Sequence, residues 1–228
     1  IRETTTALCP LIIYILHPTR SDDMRRRAIL AGLAAAATTT GLGGCSRIPS
    51  AESDEFAVAD RFDGDPARPE CTVESETVEV DIGDETREYE TAETIPYPDP
   101  PDAFDEEGIA DYVSAFEEAY VTHRVLCDRG GSGHVLRVSY SPDRIETFDR
   151  AGNGANVSLR YVGGATAGVD DGGMWEADLG FSAAVYAVDD TGAARVAADE
   201  SRDPPRAEIE SDMPDPVTEG EFVARFGH

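Results

Sequence analysis

Few residues in this 228-residue chain have the types and spacing to do chemistry. His123 and Cys127 stand four apart, which on a helix places both on one face. With Cys71 and His134 they make up a Cys2His2 donor set of the kind that holds zinc. The spacing matches no compact zinc motif, and no resident metal or cofactor is expected. The two cysteines can instead close on each other or remain two thiols, and the compartment decides between these. Ser132 and His134 point the same way from a glycine-rich turn, but no positioned acid accompanies them, so they read as loop residues. Asp170 and Asp171, before Gly172 and Gly173, could hold a cation weakly, yet acidic loops are ordinary in so acidic a chain. Asn156, Val157 and Ser158 have the form of a glycosylation sequon but fall in a predicted strand. The chain contains no HExxH, GxSxG or GxxxxGK pattern, and without lysine it has no P-loop or Schiff-base chemistry. No catalytic residue is expected.

A different chemistry is written near the start. Arg25, Arg26 and Arg27 precede a small, apolar run over residues 28–44, which ends in Leu42, Gly43, Gly44 and Cys45. Positive charge ahead of an apolar run resists translocation and fixes orientation, and this run is shorter than the roughly 20 residues of a spanning helix. Arg26 and Arg27, followed by Ala28, Ile29 and Leu30, resemble the twin-arginine (Tat) export signal. Leu42, Gly43, Gly44 and Cys45 resemble a lipobox, in which small residues admit the processing enzyme and the thiol takes the lipid. Together these residues resemble the Tat-exported lipoproteins of haloarchaea, over residues 24–45. That resemblance implies a lipid on Cys45 and placement at the outer face of the cell membrane. Lipoprotein lipids carry two chains, and at about 0.8 kcal/mol per buried methylene two chains hold where one would exchange. Residues 24–44 are then the signal peptide. The chain opens with Ile1 and Met24 stands just before the arginines, so residues 1–23, with Cys9 and His17, read as an extension upstream of the true start.

Charge narrows the partners. The formal net charge is −27, and residues 46–228 carry 14 arginines against 43 acids, a net of −29. Lysine and glutamine are absent, which with the acid excess resembles the proteins of extremely halophilic archaea. Phosphate binding needs clustered cations, so nucleic acid and anionic lipid surfaces are excluded as partners.

The elements that must position the chemistry follow in order. Residues 45–69 read as an acidic tether, aperiodic and broken by Pro49, Gly64, Pro66 and Pro69, with Phe56 and Phe62 facing solvent. Residues 70–228 are enough for one domain with its own core. Thr77–Ile82 alternates as a strand, Gly83 and Asp84 turn, and residues 86–91 pair back. Asp105 caps a helix that begins with Glu106 and Glu107. Its apolar stripe is Ile109, Tyr112, Val113, Phe116, Ala119, Tyr120 and His123, running to about Leu126. Glu117 and Glu118 read as solvated; the alternative makes Glu117 a buried acid that holds a neighbouring loop.

The period then changes to 2. Leu136, Val138 and Tyr140 form a strand, residues 145–150 lead into a turn at 151–154, and Val157, Leu159 and Tyr161 return as a hairpin. Residues 163–173 read as a glycine-rich loop. Strands follow through Phe181 to Ala187 and over 193–198, then a proline-rich extended stretch over 201–216 and a last strand over 221–226. This order predicts an α+β fold, one long helix packed on an antiparallel meander sheet, cystatin-like or NTF2-like in its specific form.

Outside the cell, Cys71 and Cys127 are most simply a disulfide. The expected function is a membrane-anchored extracellular lipoprotein, a non-enzymatic binding or interaction domain whose protein or small-molecule partner the residues do not identify. The alternative is a small extracytoplasmic enzyme with Glu117, His123 or His134 converging in the concave face of the sheet. At about 1 M salt the Debye length falls to roughly 3 Å and self-repulsion of the acidic surface is screened. The melting midpoint is therefore expected to rise between dilute buffer and molar KCl; a midpoint that stays or falls would remove the salt adaptation.

Overall fold

The structure, a computed structural model, describes residues 57–128, 133–150, 154–198 and 203–227. The signal residues Arg26, Arg27, Leu42, Gly43, Gly44 and Cys45 lie outside them, as do Phe56 and Ser132. The expected α+β arrangement is present. Helix α1, Glu106–Asp128, lies against an antiparallel sheet in which β3, β4, β6, β7 and β8 follow one another. These strands are His134–Arg150, Gly154–Asp170, Phe181–Asp189, Gly192–Ala198 and Glu221–Arg225; β5, Gly173–Glu176, pairs with the far end of β4. A separate hairpin joins β1, Thr77–Ile82, and β2, Glu85–Glu90, which starts one residue earlier than expected, with Thr77 opposite Glu90 and Ile82 opposite Glu85.

Alternation along β4 explains why the sheet accepts a helix on one face. Ala155, Val157, Leu159 and Tyr161 point inward, joined by Ala184, Tyr186 and Val188 of β6. Against them α1 presents Ile109, Tyr112, Val113, Phe116 and Tyr120, the residues of the expected stripe. The rings interlock edge to face: Phe116 on Tyr186 at 6.0 Å and Tyr112 on Phe226 at 5.4 Å. The helix starts where Asp105 Oδ1 accepts from the Gly108 N–H at 2.9 Å, satisfying one of the donors a helix leaves open.

Three local expectations are corrected. First, residues 163–170 are strand, not loop. The turn proper is Asp171 and Gly172, with φ of 51° and 77°, the left-handed pair that a two-residue hairpin loop requires. The glycines let β4 continue beneath Trp175, whose ring sits where a Cβ on Gly168 would be, 2.2 Å away. Second, the stretch after residue 201 is not simply extended: α2, Arg206–Asp212, and the short α3, Pro216–Glu219, fall within it. Arg206 fixes α2 to β3, donating to Glu146 and to the Thr147 carbonyl and lying over the Phe148 ring.

Third, residues 57–69 are not a free tether. Val58 and Ala59, in a single 3-10 turn, are buried against Ala187, Ala194 and Phe222 on the outer face of the sheet, and Phe62 stacks on Phe222. Asp189 makes this docking possible. Its carboxylate accepts the N–H groups of Val58 at 2.6 Å and Thr191 at 2.9 Å, together with the Thr191 hydroxyl at 2.6 Å. A buried carboxylate is tolerated only when so many donors meet it.

Cys71 and Cys127 are bonded, S–S 2.08 Å and Cα–Cα 5.8 Å, joining the chain ahead of β1 to the last turn of α1. The bridge closes a separation of 56 residues. Replacing both cysteines with serine is expected to lower stability by up to about 4 kcal/mol on the chain-entropy account, read as a shift of the urea midpoint in molar KCl.

Candidate functional site

Among the described residues, polar groups converge in the helix–sheet interior, at the end of α1 beside the disulfide, and in a groove on the outer face of the sheet. The first is built on Glu117, which is 0% exposed. It shares the buried stripe because Val113 and Val121, four residues to either side, are themselves wholly buried. Its partner, 8% exposed, is Arg195 of β7. Arg195 Nε donates to Oε2 at 2.8 Å and NH2 to Oε1 at 2.7 Å, a bidentate fork. The Tyr186 hydroxyl donates to the same Oε2, and the Arg195 guanidinium lies 4.2 Å from the centre of the Tyr120 ring. The expectation of a solvated Glu117 is thus overturned, and the acid holds two strands, not a loop; Glu118 is exposed.

Both donors to Glu117 keep their protons. Burial acts to lower the Arg195 pKa, but the hydrogen bonds and charge of Glu117 outweigh it and hold the guanidinium above its ordinary value. Burial pushes the Tyr186 hydroxyl well above its ordinary value, and the Glu117 charge adds to this. General acid–base work needs a group poised near the operating pH, and neither of these is. The pair is a structural tie.

The second place gathers part of the expected Cys2His2 set. One sulfur each from Cys71 and Cys127 and a ring nitrogen of His123 lie within 4.8 Å of one another. The His123 ring is 8% exposed and stacks on Tyr97, centroids 4.7 Å apart. Its Nε2 is 2.9 Å from the Ile95 carbonyl, which can only accept, so Nε2 carries the proton. Nδ1 is buried with no hydrogen-bond partner among the described residues, at a cost of about 1–3 kcal/mol. His134 does not join; its Nδ1 is 3.2 Å from Glu76, at the partly exposed start of β3. Glu117, His123 and His134 therefore face three different sets of partners and do not converge in the concave face.

The third place was not legible in the sequence. A groove of about 310 Å³ runs between the outer face of the sheet and residues 203–214. Val185, Ala183, Ala198, Ile209 and Met213 give it apolar walls, and Arg144 and Arg160 stand over it. Arg144 is engaged, donating to Glu146, Asp203 and the Pro204 carbonyl. Arg160 donates to Asp143 at 2.6 Å and lies 3.5 Å above the Phe181 ring centre, while its Nε is buried without a partner among the described residues. Asn156 of the sequon form lies within β4, its backbone between Phe148 and Ala187.

Among the described residues no helix is long and apolar enough to cross a membrane. No family model, no curated protein and no solved structure matches this chain.

The interior pair gives a sharp expectation. Glu117→Ala leaves Arg195 buried and unpaired and should lose about 3–5 kcal/mol in urea unfolding. Glu117→Leu combined with Arg195→Met and Tyr186→Phe removes every orphaned group at once and should recover most of that loss.

Proposed function

We propose that the chain is an exported, lipid-anchored binding domain without catalytic activity, held at the outer face of the membrane through Cys45, with the outer-sheet groove as its ligand site. The observation that carries the binding role is Arg160 at the groove: a cation with a buried, unused N–H beside apolar walls. A site of that make-up takes a small amphiphile, with an apolar body and one acceptor group such as a carboxylate. Two findings support binding over catalysis. The concave side is filled by α1 and its rings, and the ionisable residues that an enzyme would bring together there are apart. The anchor rests on residues 24–45 of the sequence. The curled sheet around α1, resembling the cystatin-like or NTF2-like arrangement, belongs to the same proposal.

Two measurements test it. Wild type should label with lipid and fractionate with membranes while Cys45→Ser does neither; equal fractionation of the two removes the anchor. Anilinonaphthalene sulfonate, an amphiphilic anion, should bind the folded protein saturably in molar KCl. Val185→Trp fills the groove and should abolish that binding with far-ultraviolet circular dichroism and the urea midpoint unchanged, whereas undiminished binding removes the groove as the site.

A further inference from the structure

We infer that Cys71, His123 and Cys127 form a zinc-class metal site in the dithiol form of the protein, so that the disulfide and a bound thiophilic d10 cation are alternative states of one cluster. This site is independent of the groove and its ligand.

The donor set is the first ground. Two thiolates and one imidazole suit Zn²⁺, and Cys2His with an open fourth position is an accepted zinc arrangement. The sulfurs and a ring nitrogen are already within 4.8 Å of one another, supplied by two elements that the rest of the fold fixes. Cys127 and His123 are one turn apart on α1, and Cys71 lies on the segment packed beside its end.

The histidine is the second and independent ground. A metal-ligating imidazole characteristically donates its other N–H to a backbone carbonyl, which fixes the tautomer and leaves a lone pair for the metal. His123 has that arrangement, with Nε2–H on the Ile95 carbonyl and a bare, buried Nδ1 that the described residues leave unused. Stacking on Tyr97 holds the ring in place. A disulfide has no proton to give Nδ1, so the bridged form leaves it unsatisfied, whereas a cation would satisfy it. Both cysteines are partly exposed, which gives an ion its way in.

Bonding makes the two states exclusive. Zinc is held by thiolates, and two sulfurs joined to each other as a disulfide carry no thiolate charge to offer. In the dithiol form the cation binds as two S–H groups lose their protons to solvent and two S–Zn bonds form. Closing the bridge takes two electrons from the thiolates, passed to a disulfide-class oxidant that takes two protons from solvent and leaves as its dithiol, and releases the ion. Exposure to a dithiol reductant runs the exchange backwards.

The test uses the full chain in molar KCl, reduced with a phosphine that does not compete for metal, and Co²⁺ as the spectroscopic probe. One equivalent of Co²⁺ should give thiolate-to-metal charge-transfer absorption, displaced by one equivalent of Zn²⁺, and the oxidised chain should give none. Cys71→Ala retains Cys9 and Cys45 and should lose the band, which assigns it to this cluster. His123→Gln should bind about 10-fold more weakly or worse. Should that variant fail to fold, the alkylation rate of the reduced wild-type thiols provides the second reading, and Zn²⁺ should slow it several-fold. No band in the reduced wild type, equal binding by the oxidised form, wild-type affinity in folded His123→Gln, or alkylation untouched by Zn²⁺ would each overturn the site.

Discussion

A charged pair sealed inside the protein sets the register between helix and sheet. Glu117 is wholly buried on α1 and Arg195 nearly so on β7, and each would be intolerable there without the other. Apolar rings can slide along one another at small cost, but a bidentate fork fits in one position only. The pair therefore fixes how far along its axis α1 lies on the sheet, and Tyr186, donating from β6, ties a second strand to the same point. Where Phe116, Tyr112 and Tyr120 meet the sheet follows from it. So does the position of the last turn of α1, which carries His123 and Cys127.

The outer face of the sheet is covered in pieces, and the pieces explain where a groove can exist. Toward β7 and β8 the alanines Ala187 and Ala194 leave room for Val58, Ala59 and Phe62, clamped by Asp189. Toward β3 and β4 the cover is residues 203–214, tied to β3 by Arg144, which donates to Asp203 and the Pro204 carbonyl, and by Arg206 of α2, which donates to Glu146. Apolar surface without complementary apolar cover leaves space, and here the space is bounded by Arg144 and Arg160. In a chain with 46 acids against 19 arginines, an arginine meets a carboxylate readily, and most of those among the described residues are engaged with carboxylates or rings. An unused guanidinium N–H beside a hydrophobic wall is for that reason informative.

Patterns of local origin are legible in the sequence. The period-3.6 stripe from Ile109 to His123 forms the buried face of α1, and Asp105 caps it where expected. Thr77–Ile82 with its Gly83 and Asp84 turn, the return strand through Val157, Leu159 and Tyr161, and the strands through Phe181 to Ala187 and over 193–198 all appear in place. The bridge expected between Cys71 and Cys127 is present. Failures occur where composition and conformation part company. Residues 163–170 have the glycines of a loop yet make a strand, because β3, β5 and the Trp175 ring give them backbone and side-chain partners that a local window does not contain. Residues 57–69 have the acids and prolines of a tether, but two small apolar side chains and one aromatic find a surface of alanines to bury against.

The amino-acid sequence alone determined the helix, the hairpins and the acid excess, since each is a property of composition or of neighbours along the chain. Two of its features hint at more: a lone Arg195 among alanines, and Val113 and Val121 flanking Glu117, both of which point to a buried charge pair. Only the folded molecule decided that these two meet, that His123 keeps a bare nitrogen beside two sulfurs while His134 turns to Glu76, and that a groove forms under residues 203–214. The reason is distance along the chain. Glu117 and Arg195 are 78 residues apart, and no periodicity within a segment reports on a partner that far away.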